Sequence, residues 1–293
     1  MKIACFGEVL WDIFPDHKKI GGAPLNVALR LKSLGIDICL ITRIGKDQPG
    51  KELLDYIQRQ GLSSHAFQID PHYKTGEVLV TLDKDNTATY EISYPAAWDF
   101  IEYSEYLTKE IQESDAIVFG SLICRNKVSR NTLLQVLDIA RFKVLDVNLR
   151  TPYYDIESLL LLMNKADFIK FNAEELDEIC IALNIQTKTT EDQVIAIASK
   201  TNTSQICITK GKHGATLFYQ NLFYSSKGYK VKVVDTVGAG DSFLGALINE
   251  LLMGRQPQES IDYACAIGAM VASSKGANPV FTNDQVIKLM KQM

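Results

Sequence analysis

The sequence predicts an α/β fold: a central, mostly parallel sheet flanked by helices, with a small β-sheet lid set apart from it. Three observations carry this. Short β-rich runs alternate with amphipathic helical patterns along most of the 293 residues, the mark of a parallel sheet covered on both faces. Glycines stop the early helical patterns where a left-handed cap is needed, as Gly35 and Gly61 do. One stretch, from Thr75 to Tyr94, breaks the alternation with no crossover helix.

The strands of the main sheet are expected at 2–7, 37–43, 115–120, 143–147, 167–171 and 205–209. Between them, 24–34 places Val27, Ala28, Leu31 and Leu34 on one helical face, and 51–60 does the same with Leu53, Leu54 and Ile57. Further helices fit 129–141, 174–184, 191–200, 241–253, 258–273 and 283–291. The exceptional stretch reads as two strands, 77–82 and 87–94, joined by the turn-forming Asp83-Lys84-Asp85-Asn86. With residues 11–20 it forms the expected lid, roughly 11–20 and 75–95, within a single domain 1–293, since no linker-like stretch divides the chain. An ordinary edge hairpin is the alternative.

Composition narrows the partners. A net charge of −4 gives no electrostatic reason to expect nucleic acid or an anionic membrane, which leaves a small molecule. Cys5, Cys39, Cys124, Cys180, Cys207 and Cys265 are widely spaced, without a Cys-x-x-Cys pair, and are expected as free thiols in the reducing cytoplasm. The opening apolar run is too short for a signal peptide, being broken by Glu8 and Asp12, and no run reaches transmembrane length.

The residues with most chemical content are Asp235-Thr-Val-Gly-Ala-Gly-Asp-Ser-Phe243. Glycines let backbone N–H groups approach an anion, and a helix N-terminus adds positive dipole there. Asp241 stands where phosphoryl transfer needs a base. It equally suits capping of the apolar helix that follows. A dinucleotide fingerprint is a third reading, and Phe243 in place of its third glycine argues against it.

Gly45-Lys-Asp-Gln-Pro-Gly50-Lys51-Glu52 nearly matches a P-loop, but Glu52 lacks the hydroxyl that holds Mg²⁺ and would repel a phosphate, so a turn entering a helix fits better. Gly21-Gly22-Ala-Pro-Leu-Asn26 opens a helix with a carboxamide suited to a hydroxyl-rich ligand, and Asp12 upstream can accept from adjacent hydroxyls. Plain readings exist for both: a first helical turn and a solvated loop charge. Asn172-Ala-Glu-Glu175 has capping-box spacing and lies at the carboxyl end of a strand, where open α/β sheets bind ligands. Thr209-Lys-Gly211 and Gly214 occupy a comparable post-strand position, for which a hairpin turn is the simpler account.

In family order along nearly the whole chain, these segments resemble the ribokinase-like (PfkB) family of sugar kinases. The N-terminal signature is Gly21-Gly-Ala-Pro-Leu-Asn26 with Leu34-Gly35 and Ile44-Gly45-x-Asp47-x-x-Gly50, and the C-terminal signature is 235–243. The resemblance implies a Rossmann-like ribokinase fold with a β lid, and transfer of the ATP γ-phosphate to a sugar hydroxyl. It makes Asp241 the general base, with the N–H groups of Gly238, Ala239, Gly240 and Asp241 as the anion hole. Asp12, Gly22 and Asn26 match sugar-binding positions, and Thr209, Gly211 and Gly214 the nucleotide loop. Asn172 and Glu175 match the motif that organises phosphate and hydrated Mg²⁺. Asp235 and Val237 match part of a monovalent-cation loop completed around Val271, Ser274 and Gly276. Val280 stands where some members carry a serine ligand, which leaves potassium open. Phe6-Gly-Glu-Val-Leu-Trp-Asp12 and Asp146-Val-Asn-Leu-Arg150 look most like the bacterial fructokinase branch. Ribose, 2-keto-3-deoxygluconate and nucleosides are the alternatives within the family, and a non-catalytic sugar sensor is the alternative outside catalysis. Lids of this family sometimes pair across a homodimer, which the hairpin permits.

Overall fold

The computed structural model describes residues 1–82, 88–187 and 189–292. The chain gathers into two compact units, Met1–Lys32 with Ile36–Arg141, and Ser33–Gly35 with Phe142–Met293. Its strands form a nine-stranded, mostly parallel sheet and a separate four-stranded sheet.

In the first unit, β1 (Lys2–Phe6) runs parallel to the strand on either side of it. Ile3, Ala4, Cys5 and Phe6 are all fully buried, as a strand covered on both faces requires. β2 (Leu10–Ile13), β3 (Lys18–Gly21) and α1 (Ala23–Ser33) follow, then β4 (Asp37–Gly45) and α2 (Gln48–Arg59). Next come β5 (Phe67–Asp70), β6 (Gly76–Leu82), β7 (Ala88–Ile92), α3 (Glu105–Glu113), β8 (Ala116–Gly120) and α4 (Lys127–Ile139). Within this unit β8, β1, β4 and β5 are parallel neighbours in that order.

The near-P-loop enters α2. Asp47 caps that helix through Gly50 N (2.8 Å) and also accepts from Thr75 N (2.9 Å) and Thr75 Oγ1 (2.6 Å), so its carboxylate is committed to holding two loops together.

The small sheet has the order β3-β2-β6-β7. The hairpin β6–β7 is antiparallel, as the sequence suggests, and residues 11–20 do join it, through the antiparallel pair β2–β3. The join itself, β2 to β6, is parallel, so the sheet is mixed. The expected turn Asp83–Asn86 lies outside the described residues.

The second unit contains β9 (Lys143–Asp146), α5 (Ile156–Lys165), β10 (Phe168–Asn172), α6 (Ala173–Ala182) and α7 (Thr190–Thr201). It continues with β11 (Gln205–Thr209), β12 (Ala215–Tyr219), β13 (Leu222–Ser226), α8 (Ala239–Leu252), α9 (Pro257–Ala272) and α10 (Asn283–Met290). Strands β9, β10 and β11 are parallel, while β11, β12 and β13 form an antiparallel meander. The simpler hairpin account of 209–215 is therefore correct as topology.

α8 packs on α9, and Phe243 and Leu247 of the one and Ala264 and Ile267 of the other are buried. A Cβ on Gly268 of α9 would be in ordinary van der Waals contact with α8, 3.4 Å from the Ala239 carbonyl oxygen and 3.5 Å from Phe243 Cβ. All six cysteines are free, five of them buried. Among the described residues, no helix is long and apolar enough to cross a membrane.

Candidate functional site

The second unit carries the phosphate-type motifs. β10 and β11 pair in parallel with Asn172 opposite Thr209, so two motifs 37 positions apart in sequence end side by side at the carboxyl edge of the sheet. Asn172 caps α6, accepting from Glu175 N at 2.8 Å, and Glu175 returns the bond to Asn172 N at 2.8 Å. Glu175 also accepts from Leu149 N at 3.0 Å, so the β9–α5 loop is tied to the same carboxylate. Burial, and then the negative charge of Asp146, push the Glu175 carboxyl above its ordinary range.

Thr209 ends β11, its hydroxyl donating to the Phe171 carbonyl at 3.3 Å. Gly211 (φ +54°) opens a short 3₁₀ turn with open space where a side chain would be. Gly214 is buried at φ +83°, and a Cβ there would overlap the Ser226 carbonyl oxygen. Only glycine fits this turn.

α8 begins at Gly238, whose φ of +75° makes it the helix cap without a capping side chain. A Cβ on Gly238 would lie 2.8 Å from Ala277 Cα, so the backbone of 277 closes one side of the turn. Ala239, Gly240 and Asp241 form the first helical turn, where the dipole is positive and N–H groups lack carbonyl partners four residues back, although Ala239 N donates to the Thr236 carbonyl at 3.2 Å. Asp241 is half-buried in that turn.

The loop before it is braced by Asp235, which accepts from Val237 N (3.1 Å) and Gly276 N (3.3 Å). This carboxylate brings together two of the segments expected around a monovalent cation. Val280, where the family pattern departs, is exposed.

Beneath α8 lies a charged pair that sequence reading did not single out. Lys170 Nζ is 2.8 Å from Asp146 Oδ1, both side chains being buried, and a Cβ on Gly240 would stand 3.6 Å from that ammonium. Burial opposes the charge on Lys170. The carboxylates of Asp146, Glu175 and Asp241 outweigh it, so its pKa lies above the ordinary lysine range. The available signal was a lysine inside the apolar run Phe168-Ile-Lys-Phe171 and an aspartate ending the strand Val144-Leu-Asp146.

The first unit carries the candidate sugar residues. Asp12 lies in β2, opposite Lys19 of β3, with its Oδ2 2.5 Å from where a Cβ on Gly21 would be. Gly22 has φ +113°, and a Cβ there would run into the Glu8 carbonyl. Its own carbonyl accepts from Asn26 N at 3.0 Å, and Asn26 is buried in the first turn of α1. Asp12, Gly22 and Asn26, separated by up to fourteen positions, thus converge where β3 turns into α1.

Comparison with known proteins places this arrangement. The family model of the pfkB family carbohydrate kinases matches residues 3–283. A probable fructokinase-7 of Arabidopsis thaliana is 27% identical over 315 residues, covering 98% of this chain and 91% of that protein. Among solved structures, the fructokinase with bound ATP from Xylella fastidiosa superposes with a TM-score of 0.87 at 19% identity, covering 99% of this chain and 98% of that one. A double mutant of the fructokinase from Vibrio cholerae O395, in its fructose, ADP and potassium ion bound form, gives 0.84 at 22% identity over 99% and 98% of the two chains. These two structures speak for the fold, and the family model speaks for the lineage. With that model spanning nearly all of its length, the chain belongs to the pfkB family of carbohydrate kinases.

Proposed function

We propose that the protein is an ATP-dependent fructokinase. The observation that carries this reading is the first turn of α8, where N–H groups positioned by Gly238 and the carboxylate of Asp241 occupy the same turn. The relatives support the choice of sugar, since curated matches from Arabidopsis thaliana and Oryza sativa subsp. japonica are named fructokinases. Solved neighbours are named with ATP, or with fructose and ADP.

In this reading Asp12, Gly22 and Asn26 of the first unit hold the sugar hydroxyls. Thr209, Gly211 and Gly214 of the second unit accommodate the nucleotide phosphates, and 1–293 is read as one kinase domain. Asp241 accepts the proton of the attacking hydroxyl. The sugar oxygen forms a bond to the γ-phosphorus as the bond to the β–γ bridging oxygen breaks, and the electron pair leaves with ADP. The N–H groups of Gly238, Ala239, Gly240 and Asp241 stabilise the charge on the phosphoryl oxygens in transit.

Hard oxygen donors suit Mg²⁺, and the second unit offers the Glu175 carboxylate together with Asp146 Oδ2, a buried oxygen with no hydrogen-bond partner among the described residues. Glu175 and Asn172 would hold the ion through water, and the ion supplies charge neutralisation across the phosphates. The brace of Asp235 and Val237 supports a neighbouring monovalent cation, potassium by the Vibrio cholerae O395 relative. Exposed Leu79 and Tyr90 on β6 and β7 fit a homodimer formed through the small sheet, which light scattering would measure. Six free, mostly buried thiols fit the cytoplasm.

The test is ADP release from ATP with a panel of sugars. Fructose is expected to give the highest kcat/KM. Turnover of ribose, 2-keto-3-deoxygluconate or a nucleoside with fructose inert would move the substrate within the family. Sugar binding without ADP would make the protein a sensor.

A further inference from the structure

Lys170 is out of place for a strand of this kind. Its neighbours Ile169 and Phe171 are fully buried, and the lysine itself is only 6% exposed. Taking an ammonium out of water is costly unless it is paired, and a buried ion pair is often no better for stability than apolar side chains of the same size. The partner, Asp146, uses one oxygen on Lys170 at 2.8 Å and leaves Oδ2 buried without a hydrogen bond among the described residues.

Its position gives the pair a different purpose. Lys170 precedes Asn172 by two residues on β10, so the two side chains leave the same face of the strand. That face meets the first turn of α8, where a Cβ on Gly240 would be 3.6 Å from the ammonium. That distance is an ordinary van der Waals contact, so the ammonium lies directly beside this turn.

We infer that the Lys170–Asp146 pair is part of the phosphoryl-transfer site: Asp146 fixes the Lys170 ammonium beside Gly240, where its charge reinforces the α8 N-terminus as negative charge moves through the site. The inference rests on the kinase reading above. It assigns the cation a field effect on the step itself, at a place the backbone N–H groups serve by direct contact.

The experiment compares wild type with Lys170→Met, Lys170→Arg and the double variant Lys170→Met/Asp146→Asn. It measures kcat and KM for sugar and ATP by ADP release, and thermal melting beside them. Lys170→Met is expected to lower kcat by about 10²-fold or more, the scale of losing one preorganised donor, with the sugar KM within about threefold. Lys170→Arg, which keeps the charge, is expected to recover at least about tenfold of that loss. Lys170→Met leaves Asp146 buried and unpaired. The double variant removes that carboxylate charge, so its melting temperature is expected to rise toward wild type while kcat stays low.

A folded double variant with kcat within about threefold of wild type overturns the inference. So does a kcat that follows melting temperature across all three variants, since that is the behaviour of a structural pair. A wild type that releases no ADP with any sugar overturns the kinase reading instead, and the inference with it.

Discussion

Asn172 and Glu175 hold each other in both directions: the Asn172 side chain accepts from Glu175 N, and the Glu175 side chain accepts from Asn172 N, each at 2.8 Å. The same carboxylate takes a second donor, Leu149 N. A helix cap and a proposed metal-organising group are thus one structure. Glu175→Gln keeps one accepting oxygen but turns its NH2 toward either Leu149 N or Asn172 N, so a lower melting temperature is expected beside the metal effect. The Mg²⁺ concentration for half-maximal activity should rise about tenfold, as expected for a group acting through water. A magnesium titration of ADP release measures this, and an unchanged midpoint would remove Glu175 from the metal's surroundings.

Asp12 is proposed to accept from the sugar, and its replacement separates sugar binding from nucleotide binding. Asp12→Asn loses a charged acceptor, worth roughly 1.5–3 kcal/mol. The fructose KM should therefore rise about tenfold to a hundredfold, while the ATP KM stays within about twofold. Equal changes in both constants would point to a general disturbance of β2.

Gly238 tests the turn that positions α8. Its φ of +75° is unfavourable for a side chain, and the Ala277 backbone occupies the space beside it. Gly238→Ala should cost about 1–3 kcal/mol, read as a lower midpoint in urea unfolding, and should reduce kcat as well. Preserved stability together with preserved turnover would show that the turn accommodates a methyl group.

Acid stability should depend on a carboxylate far from the chemistry in sequence and role. Burial alone would raise the Glu110 pKa, but hydrogen bonds from Lys2, Cys39, His65 and Tyr106 outweigh it and bring it from 4.5 down to about 2. The folded value lies below the unfolded one, so the stabilisation is present above about pH 4.5 and is lost as the pH falls toward 2. Urea unfolding at successive pH values should show wild type losing stability through that window and Glu110→Gln losing much less. Parallel slopes would mean that other carboxylates dominate acid unfolding.

Much of the fold is legible in sequence because burial repeats at short range. Leu53 and Ile57 of α2 are both fully buried, as a four-residue interval on one face requires. Other elements are hidden for definite reasons. In α5 the continuous apolar run Leu159–Met163 masks the helical period, although Asp155 caps the helix through Ser158 N at 2.8 Å. α3 has its own cap, Ser104 accepting from Leu107 N at 3.3 Å, but its surface is largely polar. β5 is four residues long and only its last is buried.

The site divides in the same way. Glycine turns and the capping box announce themselves locally, whereas the register that sets Asn172 beside Thr209 is a property of strand pairing. Asp146 opens the quoted segment Asp146-Val-Asn-Leu-Arg150, but nothing in the sequence marks its pairing with Lys170, 24 residues away on the neighbouring strand.

Asp241 is proposed to remove the proton from the sugar hydroxyl during phosphoryl transfer. Asp241→Asn keeps the size and the place in the α8 turn but cannot accept that proton. The measurement is kcat for ADP release with fructose and ATP, alongside calorimetric fructose binding and thermal melting. A fall in kcat of about 10²- to 10⁴-fold, with binding and melting close to wild type, is the predicted result. A folded Asp241→Asn protein that turns over within about threefold of wild type would contradict it.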